Sequence, residues 1–242
     1  IDGDISAGFA DADILLGAVP LDILDASGKL RLADGKLSIA DAAFRIEDRA
    51  VDDKFKPLVS EGASLSLADN RILANAVLLE PKSKREVVRA AIANNLDTGT
   101  GSADLAFDRI LFDRELQPDT LTPLALGVIA NARGLVQGTG RIDWNPRTVT
   151  STGSFATDKL DLAAAFGPVE GLSGNVTFTD LLGLVTAPAQ KLKIASVNPG
   201  IEVNDGEIVF ELQPGNVLKL EGGYWPYLDG SLVLDPTIMT IG

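Results

Sequence analysis

The sequence predicts a mainly β protein whose strands are antiparallel and joined by tight turns. Apolar and polar residues alternate in many short runs, and this two-residue period is typical of strands with one buried face. The chain of 242 residues contains 24 Gly and 12 Pro but only 5% aromatic residues, which suits many short strands better than a helical bundle. A sheet patterned in this way has an apolar face that something must cover.

The first part of the chain, residues 1–80, is expected to contain only strands and turns. Ser27-Gly28 and Asp34-Gly35 each precede an alternating run, and Asp-Gly between two such runs is a strong hairpin signal. The alternation continues into the apolar run 76–79. The charged stretch 47–56 lacks the pattern, so we interpret it as a surface connection.

The middle part, residues 81–134, is expected to hold the helices. Ser83 and Glu86 have the spacing of a capping box, and apolar residues then recur at helical spacing. These residues are Val87, Val88, Ala91, Ile92 and Leu96. They predict a helix over 84–95, and a second short helix is predicted over 121–131.

In the last part, residues 135–242, the strand pattern returns and prolines punctuate it, which indicates edge strands and loop corners. We interpret Asn204–Gly206 as a hairpin turn between two alternating runs, and 160–166 and 181–185 as interruptions between strands. The three parts together are expected to form one continuous β-rich segment. Because the chain starts at Ile1, we expect it to be a piece of a longer protein.

Composition and charge exclude several classes of function. The net charge of −13 disfavours binding to nucleic acid or to an anionic membrane surface. The chain has no Cys and no His, which removes disulfides, thiol catalysis, Ser-His-Asp triads and the commonest metal ligand. We therefore predict that the protein is not an enzyme and that it has no catalytic residue, no metal site and no cofactor.

Three features that suggest ligand binding have simpler explanations. Thr98–Ser102 resembles a phosphate-binding loop, but phosphate loops follow a strand and precede a helix, so a turn is the better interpretation. Acidic clusters such as the one at Asp52-Asp53 lack the spacing of a calcium loop. Trp225 and Tyr227 lie among glycines, where packing above bare backbone is favoured over ligand contact.

A series of motifs across about residues 80–240 resembles the YdbH-like members of the AsmA-like superfamily, whose domain is also labelled "dicarboxylate transport". The motifs include Gly140–Trp144, Gly171–Val176, Thr186–Gln190, Val197–Ile201 and Trp225–Tyr227. The resemblance implies an elongated, strongly curved, taco-like sheet with a hydrophobic interior that carries phospholipid acyl chains. It also implies a location in the periplasm of a Gram-negative bacterium, with an inner-membrane anchor outside this segment.

The partners that the resemblance implies are phospholipids, neighbouring segments of the same bridge and outer-membrane components. The residues expected to line a lipid groove are the apolar residues on one strand face, and core packing is the alternative for each of them. They are Ile142, Trp144, Phe155, Val176, Phe178, Leu192, Ile194, Ile208, Phe210, Leu218, Leu220, Leu232 and Leu234.

Two other functions remain open from the residues alone. The first is a structural all-β interaction module whose apolar faces bury one another in a closed sandwich. The second is a dicarboxylate- or carbohydrate-binding domain, although the chain has few clustered Arg or Lys and only two Trp and two Tyr.

Overall fold

The fold consists of one antiparallel sheet of 16 strands that is not closed, with 72% of the chain in strands and 3% in helices. The structure is a computed structural model, and it describes residues 4–15, 20–51, 53–164 and 167–241. The prediction of a mainly β, antiparallel fold is confirmed. The strands are β1 (Ile5–Leu15), β2 (Leu21–Ala33), β3 (Lys36–Asp48), β4 (Leu58–Ala68), β5 (Arg71–Leu79), β6 (Glu86–Asn95), β7 (Thr100–Phe112), β8 (Ile129–Trp144), β9 (Val149–Ala164), β10 (Gly167–Asp180), β11 (Val185–Thr186), β12 (Gln190–Val197), β13 (Val203–Gln213), β14 (Val217–Tyr227), β15 (Gly230–Leu234) and β16 (Thr237–Thr240).

Neighbours in sequence are also neighbours in the sheet, because the strands pair in chain order from β1 to β10 and then from β12 to β15. The short strands β11 and β16 pair with β10 and β14. The chain divides into two compact units, which are described separately below. Unit 1 comprises Ile1–Phe107 with Arg141–Thr150, and unit 2 comprises Asp108–Gly140 with Ser151–Gly242.

Unit 1 is a series of hairpins with short turns. The predicted hairpin at Asp34-Gly35 is confirmed, since both residues have positive φ and join β2 to β3 in a two-residue turn. A second tight turn, at Asp69-Asn70, joins β4 to β5 in the same way. Gly28, by contrast, lies inside β2 and not in a turn.

The helix predicted over 84–95 is wrong, because residues 86–95 form β6 between β5 and β7. The segment also fits a two-residue period, because Val88 and Ile92 share one face of the strand with Ala90. Residues 89–95 pair with strands on both sides, which satisfies backbone groups that an isolated helix of this length, being marginal, would hold poorly. Tertiary pairing therefore decides the structure.

The expected capping box is replaced by a carboxylate that closes the loop between β5 and β6. Glu80, only 4% exposed, accepts hydrogen bonds from the backbone amides of Lys82 (3.1 Å) and Ser83 (2.6 Å). Burial alone would raise the pKa of Glu80, but these amides outweigh it and hold the pKa below the ordinary glutamate value.

The helix predicted over 121–131 is shorter than expected and begins earlier. Helix α1 covers Pro118–Leu121, a 3-10 turn covers Pro123–Ala125, and β8 has already begun at Ile129. Prolines at the start of both turns provide the fixed φ of a first helical position, which is why the helical residues lie earlier than the apolar spacing suggested.

Unit 2 contains longer strands than the sequence indicated. The turn predicted at 181–185 is confirmed over 181–184. The interruption predicted at 160–166 is wrong as far as Ala164, because β9 continues to that residue; 165–166 lie outside the described residues. The hairpin turn predicted at Asn204–Gly206 is also wrong, since β13 runs through it with Asp205 at a φ of 56°.

The buried core is small and lies along the sheet. In unit 2, the registers align Leu162, Val169, Val197 and Val203 across four successive strands, and all four are buried. Several large apolar side chains of the described residues are nevertheless exposed, for example Leu73 at 57% and Val233 at 62%. Many apolar side chains that a two-layer fold would bury therefore remain partly exposed.

Candidate functional site

The strand registers of unit 2 bring most of the predicted groove residues onto one face of the sheet. Residues directly opposite each other on antiparallel strands project to the same side. The pairs that carry this assignment are Phe155 with Val176, Gly174 with Leu192, Leu192 with Ile208, Phe210 with Leu220, Leu218 with Leu212, Gly223 with Leu234, and Trp225 with Leu232. We call this surface the apolar face of unit 2.

The members of this face differ in how much of each side chain is covered. Ile194 and Phe210 are buried, at 2% and 8% exposed, and Leu232 is exposed at 38%. The others are half-buried: Phe155, Val176, Phe178, Leu192, Ile208, Leu218, Leu220 and Leu234. The face is therefore neither sealed like a core nor fully open to water.

Aromatic side chains on this face pack over glycines of the same strand or of a neighbouring strand. A Cβ at Gly138 would collide with the ring of Phe155, and one at Gly206 or Gly223 would collide with Trp225. Phe155 also meets Phe178 edge to face, with ring centroids 5.8 Å apart. The packing predicted for Trp225 is thus observed, and the glycines leave room for rings that smooth the apolar surface.

The two remaining predicted residues, Ile142 and Trp144, belong to unit 1. Ile142 is buried, and the ring of Trp144 lies over Gly101. The Trp144 Nε1 donates a hydrogen bond of 2.9 Å to Oδ1 of Asn94. This bond satisfies the polar atom of a half-buried indole and fixes the ring against β6 and β7.

Unit 1 carries an apolar face of its own that the sequence interpretation left out. The registers align one row of aliphatic residues across β2 to β7, namely Leu30, Ile39, Leu65, Ala74, Ile92 and Ala103. A parallel row contains Leu32, Leu37, Leu67 and Ile72. The alternation Lys29-Leu30-Arg31-Leu32 was the available signal, and all but Leu32 and Ala103 are half-buried.

The opposite face of unit 1 is polar and carries ion pairs between neighbouring strands. Arg141 contacts Asp143 of its own strand at 2.8 Å and Asp104 of β7 at 2.6 Å, and the hydrogen bonds that it donates to these two carboxylates raise the pKa of its guanidinium. Lys29 contacts Asp41 at 2.8 Å. Each of these exposed pairs contributes little to stability. Their charged side chains make this face hydrophilic, in contrast to the apolar face.

A shallow depression of about 370 Å³ lies among Arg71, Leu73, Asn95 and Ser102, beside Arg141. Because two carboxylates already contact the Arg141 guanidinium, it offers an anion little unneutralised charge. Arg141 therefore adds little to the convergent positive charge that a dicarboxylate site needs.

The other motifs have structural roles in the part of the chain that is described. Residues 96–99 form the turn between β6 and β7. There Oδ1 of Asn95 accepts hydrogen bonds from the backbone amides of Asp97 and Thr98, so these amides are not available to bind a phosphate. No group of three or more metal-ligating side chains occurs among the described residues. The same residues include no helix long and apolar enough to cross a membrane.

Comparison with protein families matches residues 2–241 to the family named YdbH-like, described as "Intermembrane phospholipid transport protein YdbH". The chain belongs to the YdbH-like family. The family is one of lipid transport and is not a known enzyme family. No curated protein and no solved structure matches the chain. Membership in this family implies lipid binding.

Proposed function

We propose that the apolar faces of this chain form part of a hydrophobic groove along which phospholipids pass between the inner and outer membranes. The observation that carries the proposal is the half-buried apolar face of unit 2, where registers align apolar side chains from β9 to β15. Strands lie about 4.8 Å apart, so these six strands offer an apolar path of roughly 24 Å measured across them.

Such a path needs no catalytic group. Each methylene kept out of water contributes about 0.8 kcal/mol, so a chain of about fourteen methylenes gains about 11 kcal/mol when it is fully covered. Because the path is made of similar aliphatic and aromatic contacts repeated from strand to strand, no single position holds the lipid. An acyl chain therefore exchanges equivalent contacts as it slides.

The polar face suits exposure to the aqueous periplasm, which is where we place the protein. The net charge of the chain, −13, also disfavours contact with anionic membrane surfaces. In this proposal, an inner-membrane anchor lies outside the present residues, and neighbouring segments of the same bridge and outer-membrane components complete the path.

Two substitutions one residue apart on β13 test the proposal. Ile208 projects from the apolar face, where it lies opposite Leu192, whereas Val209 lies opposite Lys191 on the other face, and both are half-buried. Phospholipid that copurifies with the protein is measured by mass spectrometry for wild type, Ile208→Asp and Val209→Asp, after both variants are shown to be folded by circular dichroism.

We expect about one or more phospholipids per wild-type chain, a reduction of several-fold in Ile208→Asp, and near wild-type occupancy in Val209→Asp. A charge on the apolar face must be desolvated beside acyl chains, whereas a charge beside Lys191 stays in water. Lipid at the level of an unrelated β protein would refute the groove and would favour faces that bury one another.

A further inference from the structure

We infer that a repeated pair, one residue with left-handed backbone followed by a small residue, creases the unit 1 sheet and makes its apolar face concave. The left-handed residues are Asp11, Asp25, Asp41 and Gly62, one in each of the four successive strands β1 to β4, with φ of 55°, 55°, 51° and 81°. Each is followed by an alanine: Ala12, Ala26, Ala42 and Ala63.

The pairs are aligned across the sheet. Ala12 lies opposite Ala26, and Ala42 lies opposite Ala63, and the register shifts on both sides of each of these two pairs. Between β2 and β3 the register shifts on both sides of Ser27, which lies opposite Ala43, next to both pairs. A shift of this kind is a β-bulge, which bends its strand and increases the local twist. Bulges in one strand bend that strand alone, but bulges aligned over four strands bend the sheet along a line, which we call the crease.

The residue types follow from the backbone geometry. A left-handed conformation strains most side chains, and Asp, Asn and Gly tolerate it best. On the inner side of a bend there is little room, so the next residue is small. Ala26 and Ala63 are each only 6% exposed, whereas Asp11, Asp25 and Asp41 are exposed on the other side. This asymmetry indicates that the alanine side, which is the apolar face, is concave.

Unit 2 uses the same pair. Asn131 has a φ of 53° and precedes Ala132, which is 1% exposed, and Asp205 has a φ of 56° and precedes buried Gly206. Recurrence in both units argues that the pair is a general device of this fold and not a local irregularity.

Neighbouring side chains also satisfy amides that the bulges remove from the sheet. The amide of Asp25 donates to Oδ1 of Asp13 (3.1 Å), and the amide of Gly171, another left-handed strand residue, donates to Oδ1 of Asp161 (2.8 Å). The amide of Ala132 donates to Oε1 of Gln117 at 2.8 Å. Dedicated acceptors for these amides indicate that the bulges are specified by the sequence.

A distance measurement across the crease tests the inference. The chain has no Cys, so spin labels at Lys36→Cys and Glu47→Cys, near the two ends of β3, are the only labels introduced. An uninterrupted strand would separate their backbones by about 36 Å. We expect a shorter distance in the parent protein and in Asp25→Asn/Asp41→Asn, whose side chains tolerate left-handed geometry.

In Asp25→Val/Asp41→Val, whose β-branched side chains do not tolerate it, the distance should lengthen by several ångströms or the folding equilibrium constant should fall about tenfold per site. An unchanged distance together with unchanged stability would overturn the inference. Since labels and stability are read without lipid, this result stands or falls independently of the proposed transport.

If the valine variant does not fold, a comparison of Gly62→Ala with Gly8→Ala still tests the inference. Gly62→Ala introduces strain at positive φ with no atom within 4 Å of the new methyl, and it should lower the folding constant about five- to tenfold. Gly8→Ala, at ordinary φ with its nearest atom 3.8 Å away, should not lower it. Equal effects of the two substitutions would also overturn the inference.

Discussion

Replacing Gly101 by alanine is the most informative single perturbation of the apolar face of unit 1. A Cβ at this position would lie 2.6 Å from the carbonyl oxygen of Ala93 and would overlap the Trp144 ring. The oxygen belongs to the backbone of β6, so the adjustment falls chiefly on the indole. Moving the ring breaks its 2.9 Å hydrogen bond to Asn94.

The expected loss of stability has two contributions. Overpacking of a well-filled position costs about 1–3 kcal/mol. Loss of the hydrogen bond adds about 0.5–1.5 kcal/mol. The free energy of unfolding should therefore fall by about 2–4 kcal/mol, which is a large fraction of the usual 5–15 kcal/mol.

Urea denaturation followed by circular dichroism measures this change, and tryptophan fluorescence reports the displaced ring as a shift to longer wavelength. Gly8→Ala is the matched control, because it adds the same methyl to a strand without close contact. If Gly101→Ala were as stable as Gly8→Ala, the ring would not be packed against Gly101 and the described lining of this face would be incorrect.

Two further predictions concern buried polar groups. The lowered pKa of Glu80 means that its contribution to stability is present above the unfolded-state pKa of about 4.3 and is lost as the pH falls through the lower folded-state pKa. Glu80→Gln should therefore cost about 1–2 kcal/mol at pH 7 and flatten the acid limb of a stability-against-pH curve; an unaltered curve would contradict the role of Glu80. Ser60 Oγ is buried with no hydrogen-bond partner among the residues that the structure describes, so Ser60→Ala should be neutral or stabilising by up to about 1 kcal/mol in urea denaturation. Ser151→Ala should instead destabilise by about 1–3 kcal/mol, because Ser151 Oγ donates to Asp180 and accepts from the amide of Leu182; equal effects of the two serine substitutions would contradict this contrast.

Alternation was a reliable guide to which side chains share a face, because a strand has only two sides. All eleven predicted residues of unit 2 lie in strands, and the registers place them together. Their contact with lipid stays a prediction. The turn at Asp34-Gly35 could also be predicted from the sequence, because few residue types other than Gly and Asp adopt the positive φ that it requires.

The helix over 84–95 could not be distinguished from a strand by local pattern. Its alanines favour a helix, and Val87, Ala91 and other apolar residues satisfy both periods over so short a segment. The conformation of this segment is decided by its pairing with β5 and β7. The local sequence pattern does not show that pairing.

Hairpin turns and β-bulges use the same residue types at positive φ. This is why a turn was wrongly predicted at Asn204–Gly206. Left-handed Asp, Asn and Gly occur in hairpin turns such as Asp34-Gly35 and inside strands such as β13. Asp34-Gly35 in the turn and Asp205-Gly206 in β13 are the same two residues, so the local sequence does not distinguish a turn from a bulge there. In unit 1 the left-handed residue is followed by alanine in successive strands, as in Asp25-Ala26 and Asp41-Ala42. This repeat was present in the sequence and becomes interpretable once the strands are aligned.

The central claim is that one face of the sheet contacts phospholipid and the other does not. A photo-crosslinking residue placed in turn at Glu207, Ile208, Val209, Glu211 and Leu212 of β13, in the protein incubated with phosphatidylethanolamine vesicles, tests it directly. We expect crosslinked phospholipid at 208 and 212 and little at 207, 209 and 211. Crosslinks without this two-residue period, or no crosslinks above those of an unrelated β protein, would contradict it.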